Sequence, residues 1–101
     1  MTEKYTNDKG QVAVVYSPGF GAGWSSENGI DPTHPVIAKM VHEGKQAEIN
    51  DDLLKSLGLT GYARGVRDLT IEWMKPGTAF FIDGYEGSES IRYVDENPWV
   101  A

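Results

Sequence analysis

The sequence contains no cysteine. Disulfides, thiolate metal sites and cysteine nucleophiles are therefore excluded. Long apolar runs are also missing. The longest, Val12–Tyr16 and Ala79–Ile82, fall far short of the ~20 residues that cross a bilayer as a helix. The N-terminus lacks the charged-then-apolar pattern of a secretory signal, so an intracellular location and no membrane partner are expected. Positive charge is scarce: nine Lys and Arg stand against 15 Asp and Glu, a net charge of -6. Affinity for duplex nucleic acid depends on clustered cations that release phosphate counterions, so direct duplex binding is not expected. The only histidines are His34 and His42. Their spacing on or beside a short helix does not give the i, i+4 pairing of a metal-binding helix face, and neither a metal nor another cofactor is expected.

The 101 residues are 40% hydrophobic and 11% aromatic, enough for one domain with a small core. Met1–Gly10 is polar and aperiodic and reads as a frayed lead-in. Gln11–Ser17 is apolar on both alternating sides, which predicts a central strand ended by Pro18. Val36, Ile37, Met40 and Val41 recur at helical spacing, with Pro35 in the first turn and Gly44 beyond the end. A second helix follows Asn50: Asp51 and Asp52 sit in its first turn, Leu53, Leu54 and Leu57 form its stripe, and Gly58 stops it. Ile49 is placed to staple onto Leu54. Both helices are too short to persist alone and must dock on a sheet.

Leu69–Met74 and Ala79–Tyr85 alternate around Pro76-Gly77, a type II turn pair. A two-residue hairpin there predicts Trp73 opposite Phe80 and Ile71 opposite Ile82, with Glu72 on the other face. A second turn within Glu86–Glu89 leads to Ile91–Val94. Centring it on Gly87-Ser88 pairs Ile82 with Tyr93; centring it on Glu86-Gly87 pairs Ile82 with Ile91, and both keep the same faces together. The expected fold is α+β: an antiparallel sheet of about four strands in the order β-α-α-β-β-β, with two short helices on one face. An exposed edge of such a sheet can pair with a second copy, so a homo-oligomer is compatible with the pattern.

The segment Gly19-Phe20-Gly21-Ala22-Gly23-Trp24 follows a strand. Gly19, Gly21 and Gly23 could present backbone N–H groups to an anion, although the third glycine of G-x-G-x-x-G is misplaced and no G-K-[ST] follows. The competing reading is a tight turn with Phe20 and Trp24 packed locally. Tyr62, Arg64 and Arg67 lie in a glycine-punctuated loop. Arginine forks suit phosphates and carboxylates, and Tyr62 suits stacking; the alternative is solvated pairing with surplus acids. Ser17, Ser25 and Ser26 have no G-x-S-x-G setting. Asp51, Asp52, Glu86, Glu89, Asp95 and Glu96 fall in a helix first turn, a hairpin tip and a tail, which reads as solvated surface. No catalytic constellation emerges, and an enzyme is not expected.

Tyr16-Ser17-Pro18-Gly19-Phe20-Gly21-Ala22-Gly23-Trp24-Ser25-Ser26 and the stretch Gly77–Ile91 resemble, in that order, segments of small bacteriophage-encoded proteins that carry a G-[YF]-G-A-G-W-S motif. The resemblance covers roughly Val12–Ser26 and Leu69–Ile91 and brings no catalytic residue with it. It implies a phage accessory protein acting in the host bacterial cytoplasm. On that basis the expected function is non-enzymatic binding and inhibition of a host protein, such as a defence nuclease complex of the CRISPR type. Phe20, Trp24, Tyr62, Arg64, Arg67, Glu86 and Glu89 are the expected contacts. The alternative is sequestration of a nucleotide-type small molecule by the Gly19–Gly23 backbone with Arg64 or Arg67 on its phosphates.

Overall fold

The computed structural model describes residues 4–18, 24, 30–59, 63, 66–85, 88–93 and 99–101. The chain is α+β. Its strands are β1 (Val12–Tyr16), β2 (Thr70–Met74), β3 (Ala79–Tyr85), β4 (Ser88–Arg92) and β5 (Trp99–Val100). Its helices are α1 (Pro35–His42) and α2 (Asp51–Ser56), with single 3-10 turns at Gln46–Glu48 and Val66–Asp68. The strands form two antiparallel sheets, β1-β2 and β4-β3-β5.

Strand β1 is the partition between two cores. Ala13 and Val15 face one that holds Trp24, Ile30, Ile37, Ala38, Val41, Ile49, Leu54 and Leu69; Val12 and Val14 face the other, with Met74, Phe80, Ile82 and Ala101. This is why the strand is apolar on both sides. Its two edges are covered as well. One pairs with β2, while on the other Ala13 N donates to Tyr5 O at 2.9 Å, Val15 N to Pro32 O at 2.8 Å, and Ser17 O accepts from Glu89 N at 2.8 Å. With β2 on one edge and the Tyr5 and Pro32 segments on the other, and Glu89 holding Ser17 just beyond its end, the backbone of the strand is satisfied as burial requires.

Ile37, Ala38 and Val41 of α1 and Leu54 of α2 are buried in the first core. Proline opens α1 where its missing N–H costs nothing. Asn50 caps α2 by accepting the N–H of Leu53 at 2.9 Å. Each ends in the paired bonds of a Schellman motif: Lys45 N to Met40 O and Gly44 N to Val41 O in α1, Leu59 N to Leu54 O and Gly58 N to Lys55 O in α2.

Two expectations are corrected. The Pro76-Gly77 turn forms, with Gly77 at φ 85 and Thr78 N on Lys75 O at 3.1 Å, as type II geometry demands. Its flanking strands nevertheless do not pair with each other. Strand β2 runs beside β1, setting Trp73 opposite Ala13 and Ile71 opposite Val15, and β3 runs between β4 and β5. Alternation specifies which face a residue takes but not which strand lies alongside. Small Ala13 leaves room for the indole of Trp73, and β1 offers two apolar faces to fill. Trp73 packs on the helix-side core and Phe80 lies within the other. The gap beside the turn is filled by Ala101, whose O accepts from Gly77 N at 2.7 Å and whose N donates to Thr78 O at 2.9 Å. In the second hairpin Ile82 stands opposite Ile91 and Tyr85 opposite Ser88, the second of the two registers the sequence allows.

The second correction concerns residues 4–10, which are not frayed. Thr6 bridges Val12, Asn7 N donates to Gln11 O at 3.1 Å, and Gly10 takes φ 73. The Asn7 carboxamide oxygen accepts from Lys9 N and Gln11 N, both at 3.0 Å. Asn7-Asp8-Lys9-Gly10 is a hairpin turn in which only glycine takes the left-handed position cheaply. The Lys4 ammonium donates to the carbonyl of Val100, tying this segment to β5.

Candidate functional site

The lead-in hairpin places Tyr5 over the end of α1. Its hydroxyl meets His42 Nδ1 at 2.8 Å. The His42 ring in turn stands edge-on to Trp73, with centroids 5.2 Å apart and planes at 81°. Tyr5 and Trp73 lie 6.3 Å apart. These are ordinary favourable separations for aromatic pairs. Each ring arrives from a different element: Tyr5 from the hairpin, His42 from the last turn of α1, Trp73 from β2.

Together they wall a cleft of about 450 Å³ whose rim carries Asn7, Asp8, Lys9 and Gln11. That volume lies within the ~300–1,000 Å³ of small-molecule pockets. The Asn7 amide is committed to Gln11 Oε1 at 3.0 Å and to the turn. Besides the aromatic wall, the lining holds the Lys9 ammonium, the Asp8 carboxylate, Thr6 and the Gln11 carboxamide. Histidine is oriented here by a phenol rather than by a carboxylate. The arrangement is suited to recognition: a ring fixed in place, an apolar wall and one charge of each sign. Among the described residues no group of three His, Asp or Glu side chains could hold a metal ion.

A second groove, of about 370 Å³, opens between the sheets and is lined by Tyr16, Glu72, Glu89, Ile91 and Tyr93 among others. Glu89 is 3% exposed. Its Oε1 accepts from Ser17 N at 2.9 Å while its own N donates to Ser17 O at 2.8 Å. Ser88 Oγ adds a bond to Pro18 O at 2.7 Å. These bonds fasten the end of β1 to β4. Glu89, expected as a partner contact, is instead an internal clasp.

Trp24 is corrected in the same way. It is wholly buried among Ile30, Ile37 and Leu54 in the first core and has no surface to offer a partner. Its large apolar area is worth more inside than at a contact, even though Nε1 finds no acceptor among the described residues. Arg67 is exposed in the 3-10 turn Val66–Asp68 and makes no salt bridge among the described residues. Phe20, Tyr62, Arg64, Glu86, Gly19, Gly21 and Gly23 lie outside the described residues.

The structure joins three residues that sequence reasoning did not place in a site: Tyr5, which it passed over, His42, weighed only as a metal ligand, and Trp73, read as a core residue of a hairpin. One signal was available. Tyr5 is a lone aromatic beside Asn7-Asp8-Lys9-Gly10, a turn sequence that folds it back onto the domain. No family model matches the chain, and no curated protein or solved structure matches it. No helix among the described residues is long and apolar enough to cross a membrane.

Proposed function

We propose that the chain is a binding protein without catalytic chemistry, a phage-type accessory factor that occupies a host bacterial protein in the cytoplasm and blocks it. One observation carries the reading. Of the large apolar side chains left in solvent among the described residues, Phe81, Tyr93, Trp99 and Val100 belong to the segment of the second sheet, and Val36 alone lies elsewhere. Phe81 is 41% exposed and stands opposite Arg92, which pairs with Asp83 at 2.8 Å. By the registers of β3, Phe81 and Val100 share one sheet face with Asp83 and Arg92, whereas Trp99 stands opposite Phe80 on the other face and Tyr93 lines the groove with Ile91. The face of Phe81 and Val100, apolar side chains beside charged ones, has the composition of a protein–protein contact. The resemblance of the Tyr16–Ser26 and Gly77–Ile91 segments to phage-encoded proteins supports the host as the source of the partner.

The test is capture of a saturable partner from host lysate by the immobilised chain, repeated with Phe81→Ser and Val100→Ser. Loss of capture by either variant, with unchanged melting temperature, supports the reading. Undiminished capture by both, or none by the unaltered chain, overturns it.

A second reading is favoured by the Tyr5-His42-Trp73 cleft: binding of a nucleotide-type small molecule, with its ring against the aromatic wall and its phosphate near Lys9. A ligand that binds only the folded state raises stability by about 2.7 kcal/mol at a hundred times its Kd. Melting temperatures across linear and cyclic nucleotides separate the two readings. A concentration-dependent rise that Trp73→Ala removes supports the ligand; flat curves across the panel eliminate it.

A further inference from the structure

Among the described residues, strand β2 has one strand partner, β1. The direction of its backbone groups follows from bonds on the far side of β1. Ala13 N and Val15 N donate to Tyr5 O and Pro32 O, and so point away from β2. Their cross-strand neighbours are Trp73 and Ile71. In an antiparallel ladder such pairs exchange no bonds, and both members turn their N–H and C=O groups outward. The outer edge of β2 thus presents the amides and carbonyls of Ile71 and Trp73, and no described strand takes them up.

The edge is flanked on both faces. On the face shared by the Ile71 and Trp73 side chains, a hollow of about 230 Å³ runs along the strand beside His42 and Gln46. On the opposite face stands Glu72, exposed at mid-strand, bordering the groove that also holds Glu89 and whose described lining residues include no lysine or arginine.

We propose that this edge accepts an extended segment of a partner protein that carries a lysine or arginine opposite Glu72. Main-chain bonds to Ile71 and Trp73 supply the affinity, and alternate side chains supply the specificity, as in other cases of strand addition. The residues flanking the cation point over the hollow beside His42; the cation points to the carboxylate-lined groove. Charge decides the occupant. In a second copy of this chain, the register that pairs Ile71 and Trp73 with their counterparts sets Glu72 directly against Glu72. Like charges at that spacing are destabilising, whereas opposite charges across a strand pair are favourable. A carboxylate in the middle of an edge thus blocks self-pairing and selects a basic strand.

The probes are two blocked peptides, acetyl-Thr-Val-Lys-Val-Thr-amide and the same peptide with glutamate in place of lysine. They are titrated into the isotope-labelled full chain while backbone amides are followed by NMR. The lysine peptide is expected to shift the Ile71 and Trp73 amides saturably, and to bind at least ~10-fold more tightly than the glutamate peptide, a factor equal to ~1.4 kcal/mol. Glu72→Lys, an exposed substitution that leaves both cores intact, should reverse the order. Methylating the peptide's backbone nitrogens should abolish the shifts. The proposal is overturned if neither peptide moves those two amides, if both bind equally with or without Glu72→Lys, or if the chain alone dimerises through this edge.

Discussion

The two sides of β1 solve the same packing problem with different materials. On the helix side, ten of the described residues are buried in a core drawn from two helices, several loops, β1 and Leu69 just ahead of β2. On the sheet side, six suffice, and most of them come from strands. The helix-side core is therefore assembled from segments far apart in the chain, centred on Trp24. The sheet-side core is a compact plug around Phe80. The helix-side aromatics Tyr5 and Trp73 remain partly accessible and meet in a cleft, while large apolar residues of the sheet side end up in solvent on the outer sheet. The larger core leaves its accessible aromatics in a cleft, and the smaller one leaves Phe81 and Val100 exposed on the sheet. Each suits a different kind of contact.

The largest expected effect tests which side dominates stability. Trp24→Ala should cost about 4–5 kcal/mol, the upper part of the range for removing a buried large aromatic, and leave the chain largely unfolded at 37 °C by circular dichroism. Phe80→Ala removes a smaller ring and should cost about 3–4 kcal/mol in urea unfolding. If Phe80→Ala proves the more damaging, the sheet-side plug is the keystone and the comparison inverts. Glu89→Ala strips the clasp between the sheets and leaves Ser17 N unpaired in a buried setting. A loss of about 1–3 kcal/mol follows, read as a lower urea midpoint with an unchanged slope. The smallest effect sharpens the contrast at the cleft: Tyr5→Phe removes only the hydroxyl on His42 and should cost about 0.5–1.5 kcal/mol. It should also shift the His42 ring protons in NMR while leaving those of Phe80 in place.

Much of the fold was legible in local sequence. Asn50 as a cap, Gly44 and Gly58 as stops, Pro35 as an opener and Pro76-Gly77 as a type II turn each concern a few neighbouring residues whose dihedral preferences act at short range. The doubly apolar pattern of Val12–Val15 likewise announced a strand buried on both faces. The pairing of β2 was not legible. Ile71 and Trp73 fit equally well, by alternation alone, against Ile82 and Phe80 or against Val15 and Ala13. What distinguishes them is the volume beside Ala13 and the presence of a second core across β1. The candidate site was less legible still, because Tyr5, His42 and Trp73 are separated by most of the chain. Trp24 and Glu89 misled for a related reason: an aromatic beside glycines and an acid near a hairpin tip look exposed until another element covers them.

By itself the sequence determined the class of the domain, the ends of its helices, the Pro76-Gly77 turn, and which residues alternate to a common face. These depend on propensities and hydrogen bonds within a few residues. Only the tertiary structure decided which strands are neighbours, which aromatics are sealed inside, and which backbone edge stays open. Those outcomes depend on competition among distant surfaces for the same buried volume, and such competition is resolved only when the whole chain is packed.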